Sequence, residues 1–379
     1  MNCISRLFSL TLLSCSLLAC SSPKIELLSE DGFCTEIDGK AVALYSLKAL
    51  GKGNIVAQIT NFGCRVVSLW TPDRDGVYED VVLGHDSIDK YLHYTGERYL
   101  GPIVGPVANR VAAGRFELDG KEYTLPQNNN GQTLHGGLKG VDMLVWDVVS
   151  QSDSSIRMSL VRPEGLDGFP GPISMKVEYV LTSNNELKIS YWASSEQKTP
   201  INLTNHSIFN LKGCGKGTIE DHEIQIFASA ITPVDSVLIP SGEMLDVEGT
   251  PFDFREPHTI GERIEDGHQQ LIFGAGYDHN WVLDSRGESL SVAAVLYEPS
   301  SGRQMEVITD QPGLQFYSGN FFDGSAVGKY GRSLNYREGI ALETQNFPDA
   351  VNQPSFPNSI VNPGEIYTHT CIYRFSVRK

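Results

Sequence analysis

Apolar and polar residues alternate with a period of two in one short segment after another. The pattern runs from "AVALYSL" and "NIVAQITNF" through "MKVEYVLT" and "ELKISYWAS" to "THTCIYRFSV". Turn signals separate many of these segments, among them Leu118-Asp119-Gly120-Lys121, Ser183-Asn184-Asn185 and Ser300-Ser301-Gly302. Helical periodicity is nearly absent, and only short pieces such as "DSIDKYLH" suit a helix. Evenly spaced strands through most of 379 residues predict an all-β fold. The expected architecture is one large antiparallel β-sandwich with few short helices. No blade-length repeat occurs, which argues against a propeller.

Composition narrows the functional classes. With 40% hydrophobic residues, 37 Gly and 19 Pro, the chain suits a turn-rich globular protein with a large core. Its formal net charge of −16 excludes a nucleic-acid partner, because phosphate binding needs clustered Lys and Arg.

The N-terminus reads as an export segment. In "MNCISRLFSLTLLSCSLLAC" one basic residue, Arg6, precedes an apolar stretch from Leu7 to Leu18, too short to span a bilayer comfortably. Its end at Ala19-Cys20 resembles the bacterial lipobox, which implies a signal peptide over 1–19 and lipidation of Cys20, with plain signal cleavage near Ser21 as the alternative. Residues 20–35 then form a tether, and 36–379 a single β-sandwich domain. The expectation is an exported bacterial lipoprotein, periplasmic or outer-membrane associated, that meets the membrane through its lipid anchor only. Either a monomer or a homodimer is compatible with this reading.

Three of seven cysteines lie in the export segment, and the others (Cys34, Cys64, Cys214, Cys371) are scattered. Buried free thiols are expected, and no Cys-x-x-Cys, His-x-His or His-x-x-x-His spacing suggests a metal.

Four groups of polar residues interrupt the β pattern. Asn109 and Arg110 follow a Gly- and Pro-rich approach. His135 precedes two glycines, which would let backbone approach a ligand closely. In "NLTNHSIFNL" a strand reading puts Asn202, Thr204 and His206 on one face. Asp278 lies in "GAGYDHNWVL", and Glu343 follows Ile340-Ala341-Leu342, which places a carboxylate within a core strand. Each has a plain structural reading: a turn, a surface ion pair, a loop cap. No Gly-x-Ser-x-Gly elbow or phosphate loop occurs.

Taken in order, "ANR", "LHGG", "LTNHSIFNL", "GYDHNWVL", "GLQFYSGN" and "LETQNFPD" resemble the aldose 1-epimerases, or galactose mutarotases. The resemblance runs from about residue 36 to the C-terminus and includes "EGLDGFPG". It implies the large galactose mutarotase-like supersandwich. It further implies interconversion of α and β anomers of free aldohexoses such as glucose and galactose. Glu343 would be the base and His206 the acid, with Asn109, Arg110, His135 and Asp278 binding the sugar. Ring opening needs only two proton transfers, so no cofactor is implied. An imidazole titrates near neutrality, and Glu⁻ beside HisH⁺ would stabilise each other as the starting state. The polar face of "NLTNHSIFNL" becomes the floor of a sugar cleft. Trp146 and Trp281 suit core packing, with stacking on a sugar ring as the alternative.

The chain departs from the family pattern at Pro106-Val107 (often Arg-Tyr), Ile208 (often Tyr), Asn346 and Gln353 (often His) and Val141 (often Phe). None of these is a proposed proton-transfer group. Competing readings are a non-catalytic carbohydrate-binding module, a hexose-6-phosphate epimerase, and a sugar lyase or hydrolase on a similar sandwich. The first needs no acid–base pair, and the second should add Lys or Arg to the cleft.

Overall fold

The computed structural model describes residues 25–379. Three antiparallel sheets carry the fold. A nine-stranded sheet runs in the order Asp147–Gln151, Ser155–Arg162, Ile173–Leu181, Glu186–Ser195, Tyr367–Val377, Arg303–Thr309, Ser291–Tyr297, Glu223–Ile226, His258–Thr259. A six-stranded sheet contains Ile208–Phe209, Ile340–Gln345, Gly313–Tyr317, Asp278–Leu283, Ala228–Thr232 and Leu245–Asp246, and Leu44–Lys48 opens a four-stranded one. The single parallel pairing among the described residues is a bridge between Val107 and Asn202. The expected all-β sandwich is what forms, and the helical piece in "DSIDKYLH" is one turn, Ile88–Leu92.

Period-two alternation explains the large sheet. Along Ile173–Leu181 every second residue (Ile173, Met175, Val177, Tyr179, Leu181) is buried, while Ser174 and Lys176 face solvent. Leu187, Ile189, Tyr191 and Ala193 continue that inner face on the next strand. The six-stranded sheet differs, because its central strands are buried on both faces. One face supplies Trp281, Leu314, Phe316 and Leu342 to the main core. The other carries Asn280, Gln315 and Glu343, which pair across neighbouring strands: Asn280 opposite Gln315, and Gln315 opposite Glu343. A polar row on a buried face cannot be core packing, so this face is where a site must lie.

Several expectations change in detail. "NLTNHSIFNL" is not one strand: Thr204–Asn205 pairs with Ile103–Val104, and Ile208–Phe209 joins the six-stranded sheet. Asn202 and Asn205 clamp backbone, the former exchanging hydrogen bonds with Asn346, the latter donating to Gly101 O. Trp146 and Trp281 are fully buried core residues whose indole N–H groups donate to Val141 O and Phe252 O. Cys64, Cys214 and Cys371 are buried free thiols, whereas Cys34 is exposed. Residues 1–19 and Cys20 lie outside the described residues. Within the 20–35 segment, expected as a tether, Leu28 N–H donates to Gln58 Oε1 and Phe33 is fully buried, so its described end is docked on the domain.

Candidate active site

Widely separated parts of the chain meet in one cavity of 340 Å³, a size near the lower end of small-ligand pockets, about 300–1,000 Å³. Asn109, Arg110, His135, His206, Asp278 and Glu343 all line it, and all six are buried. The sequence-expected site residues are therefore brought together without exception. Thr204 and Asn202 are not part of the wall, so His206 alone represents its motif there.

Two left-handed residues shape one side. Asn109 (φ 61°) and His135 (φ 50°) adopt a region that non-glycine residues rarely occupy. They hold each other: His135 N–H donates to Asn109 O at 2.9 Å, and Asn109 N–H donates to His135 Nδ1 at 3.1 Å. The second bond occupies the Nδ1 lone pair, so the ring proton of neutral His135 sits on Nε2, which is a donor. The two following glycines serve the fold rather than a ligand. A Cβ on Gly136 (φ 86°) would lie 2.0 Å from Gly105 O, and one on Gly137 would meet Asp167 Oδ2 at 3.1 Å.

The six-stranded sheet shapes the other side. Glu343, Gln315 and Asp278 project from adjacent strands, and Gln315 Nε2 donates to Asp278 Oδ1 at 2.7 Å. Arg110 approaches Asp278 Oδ2 at 4.0 Å. Between the two sides, His206 Nε2 lies 3.5 Å from Glu343 Oε1. Burial lowers His206 to about 4 and pushes Glu343 well above the ordinary carboxyl range, reinforced by the like charge of Asp278. His135 is lowered too, first by burial and then by neighbouring His206 and Arg110. Both shifts work against the expected starting state, Glu⁻ beside HisH⁺. The low-dielectric surroundings favour the uncharged carboxyl and the uncharged imidazole.

Buried Glu343 Oε2, His206 Nδ1 and Gln315 Oε1 have no hydrogen-bond partner among the described residues. Polar atoms in a core are rarely left so, and a polyhydroxylated ligand would supply partners. His135, His206 and Glu343 offer ligand-type atoms within 4.8 Å of one another. His135 nonetheless presents a proton, not a lone pair, which does not fit a metal ligand.

Sequence reasoning missed three contributors. Gln315 was quoted within "GLQFYSGN" without a role, although alternation puts it on the face opposite Leu314 and Phe316. Tyr99 roofs the histidines, its ring centroid 4.6 Å from His135 and 5.8 Å from His206. Arg98 gives no sequence signal. Its guanidinium grips both oxygens of fully buried Asp142 at 2.7 and 2.9 Å and donates to Gly137 O and Leu138 O. That tie fastens the segment carrying Tyr99 to the turn after His135.

Known proteins place this geometry. The family model described as aldose 1-epimerase matches residues 46–374. Bovine galactose mutarotase is 46% identical over 319 residues, covering 84% of this chain and 90% of the relative. Escherichia coli aldose 1-epimerase is 34% identical, covering 89% and 96%. Among solved structures, an aldose epimerase homologue from C. elegans superposes with TM-score 0.82 at 29% identity, covering 89% of this chain and all of that one. A galactose 1-epimerase from Lactobacillus acidophilus gives 0.77 at 27%, covering 92% and 98%. The match in motif order, fold and length is continuous through the cavity-forming segments, and the chain belongs to the aldose 1-epimerase family.

Proposed function

We infer that the protein interconverts the α and β anomers of free aldohexoses such as glucose and galactose by acid–base ring opening and closure. The observation that carries this reading is the buried His206–Glu343 pair at 3.5 Å, facing a cavity of sugar size. Mutarotation needs one group to take the proton of the C1 hydroxyl while another protonates the ring oxygen. With Glu343 as base and His206 as acid, both transfers occur as the C1–ring oxygen bond breaks and the aldehyde forms. The pair then stands as carboxylic acid and neutral imidazole, the state that burial favours. The site thereby lowers the energy of the open-chain complex, where charge separation on the protein has vanished. Rotation about C1–C2 presents the other face, and closure returns both protons. A single proton shared by the pair suffices, because the two groups are near enough to trade it as a sugar enters.

Asp278, Arg110, Asn109 and the Nε2 proton of His135 provide acceptors and donors for the hydroxyls. A sugar phosphate is disfavoured: Arg98 is committed to Asp142, which leaves Arg110 facing three carboxyl groups, Glu97, Asp278 and Glu343. Polarimetry of freshly dissolved α-glucose and α-galactose with the purified protein tests the activity. No acceleration over the spontaneous rate, with sugar bound, would favour a carbohydrate-binding module instead.

The apolar stretch ending at Ala19-Cys20 supports export and lipidation at Cys20, with the enzyme held on a periplasmic or outer-membrane surface. Mass spectrometry of the mature N-terminus tests this independently of catalysis. An unmodified N-terminus elsewhere overturns it.

A further inference from the structure

Glu97 lines the same cavity, and the acid–base chemistry does not use it. It lies half-buried in the segment that leads to Tyr99, whose ring lies over His135 and His206. Its Oε1 accepts the Tyr99 N–H at 2.7 Å, and the Arg98 N–H also helps hold the carboxylate. No lysine, arginine or histidine forms an ion pair with it among the described residues, where Asp278 has Arg110 and Asp142 has Arg98. The nearest guanidinium, on Arg98, is held bidentate by Asp142. Both cavity histidines are kept neutral by burial. With Asp278 beside Arg110 and Glu343 beside His206, Glu97 is the wall carboxyl with no basic side chain against it among the described residues.

Burial, and then the like charge of nearby Asp278, raises the proton affinity of this carboxyl, so ionising it without a counter-charge costs stability. A sugar hydroxyl could donate to Oε2 but could not offset the charge. An ammonium group would do both. We propose that the cavity accepts aldoses bearing a free amine, and that Glu97 is the residue that selects the ammonium group. The same charge excludes uronates and sugar phosphates. This rests on the anomer-interconverting function inferred above.

The test compares 2-amino-2-deoxygalactose and 6-amino-6-deoxygalactose with galactose, below the pKa of the amines, in wild type and Glu97→Gln. A charge-assisted hydrogen bond lost in the variant should lower the amino-aldose to galactose ratio of kcat/KM by about tenfold to a hundredfold, mainly through KM. Glu97→Lys should shift preference the other way, toward galacturonate. An unchanged ratio in Glu97→Gln, or failure of wild type to convert either amino sugar while converting galactose, overturns the proposal. If wild type converts no aldose, the inferred reaction fails instead. Calorimetric binding of the amino sugars against galactose in the same proteins then still decides what Glu97 recognises.

Discussion

His206 Nε2 and Glu343 Oε1 stand 3.5 Å apart, and burial drives their proton affinities in opposite directions. The histidine is supplied by a short loop between two-residue strands, the glutamate by the middle of the six-stranded sheet. Their meeting creates a pair that holds one proton and prefers to be uncharged, which suits an intermediate lacking the closed ring.

Removing either member should therefore stop the chemistry and spare the binding. Glu343→Gln and His206→Asn are each expected to lower turnover by about a hundredfold to ten-thousandfold. The double variant should lose less than the product, since both groups serve one transition state. Mutarotation rate measured beside sugar affinity decides this. Near wild-type turnover in Glu343→Gln with sugar bound would sink the mechanism.

The pH profile should carry the signature of burial. As pH falls through about 4, His206 gains a proton in addition to that on Glu343, no base remains, and turnover declines. As pH rises through the raised Glu343 value, the pair loses its only proton and turnover falls again. After subtraction of the spontaneous rate, the acid limb of kcat/KM should lie well below the ordinary imidazole value of about 6.5. A limb at that ordinary value would mean that His206 is not the buried acid.

Gln315 orients Asp278 through the 2.7 Å bond from its amide. Gln315→Leu keeps much of the volume and removes that donor, so KM should rise with a smaller change in kcat. Asp278→Asn should raise KM as well, with turnover reduced. Isothermal titration with galactose separates the two effects, and equal loss in kcat alone would place Gln315 in the chemistry.

Arg98→Ala leaves the fully buried Asp142 carboxylate without its guanidinium. Breaking a buried pair from one side costs about 3–5 kcal/mol, and the turn after His135 loses two further hydrogen bonds. Denaturant unfolding should register a loss of that order. A change under about 1 kcal/mol, the range of exposed pairs, would show that the pair is solvated.

Because His135 presents a proton rather than a lone pair, exhaustive chelation should leave turnover intact. Activity lost in chelator and restored by one metal would overturn the tautomer assigned from the Asn109 N–H bond.

Period-two alternation made the sheets legible before any coordinates, because facing one core forces every second residue inward along strands such as Ile173–Leu181. His206, Glu343, Asn109, Arg110, His135 and Asp278 were legible through the order in which their motifs resemble the aldose 1-epimerases, because each residue alone reads equally well as a turn, a cap or a surface ion pair. Sequence could not show that "NLTNHSIFNL" breaks into two short strands, because the pairing that breaks it comes from Ile103–Val104 and Ile340–Gln345, distant in the chain and in opposite directions. Nor could it assign Arg98, Glu97 or Tyr99, whose segment has neither period nor motif and gains meaning only from lying over the histidines. How strongly burial acts on the proton affinities of the pair was beyond the sequence for the same reason. A side chain's chemistry is written in the sequence, but its distance from water and from other charges is set by the fold, and at His206 and Glu343 that distance decides where the proton rests.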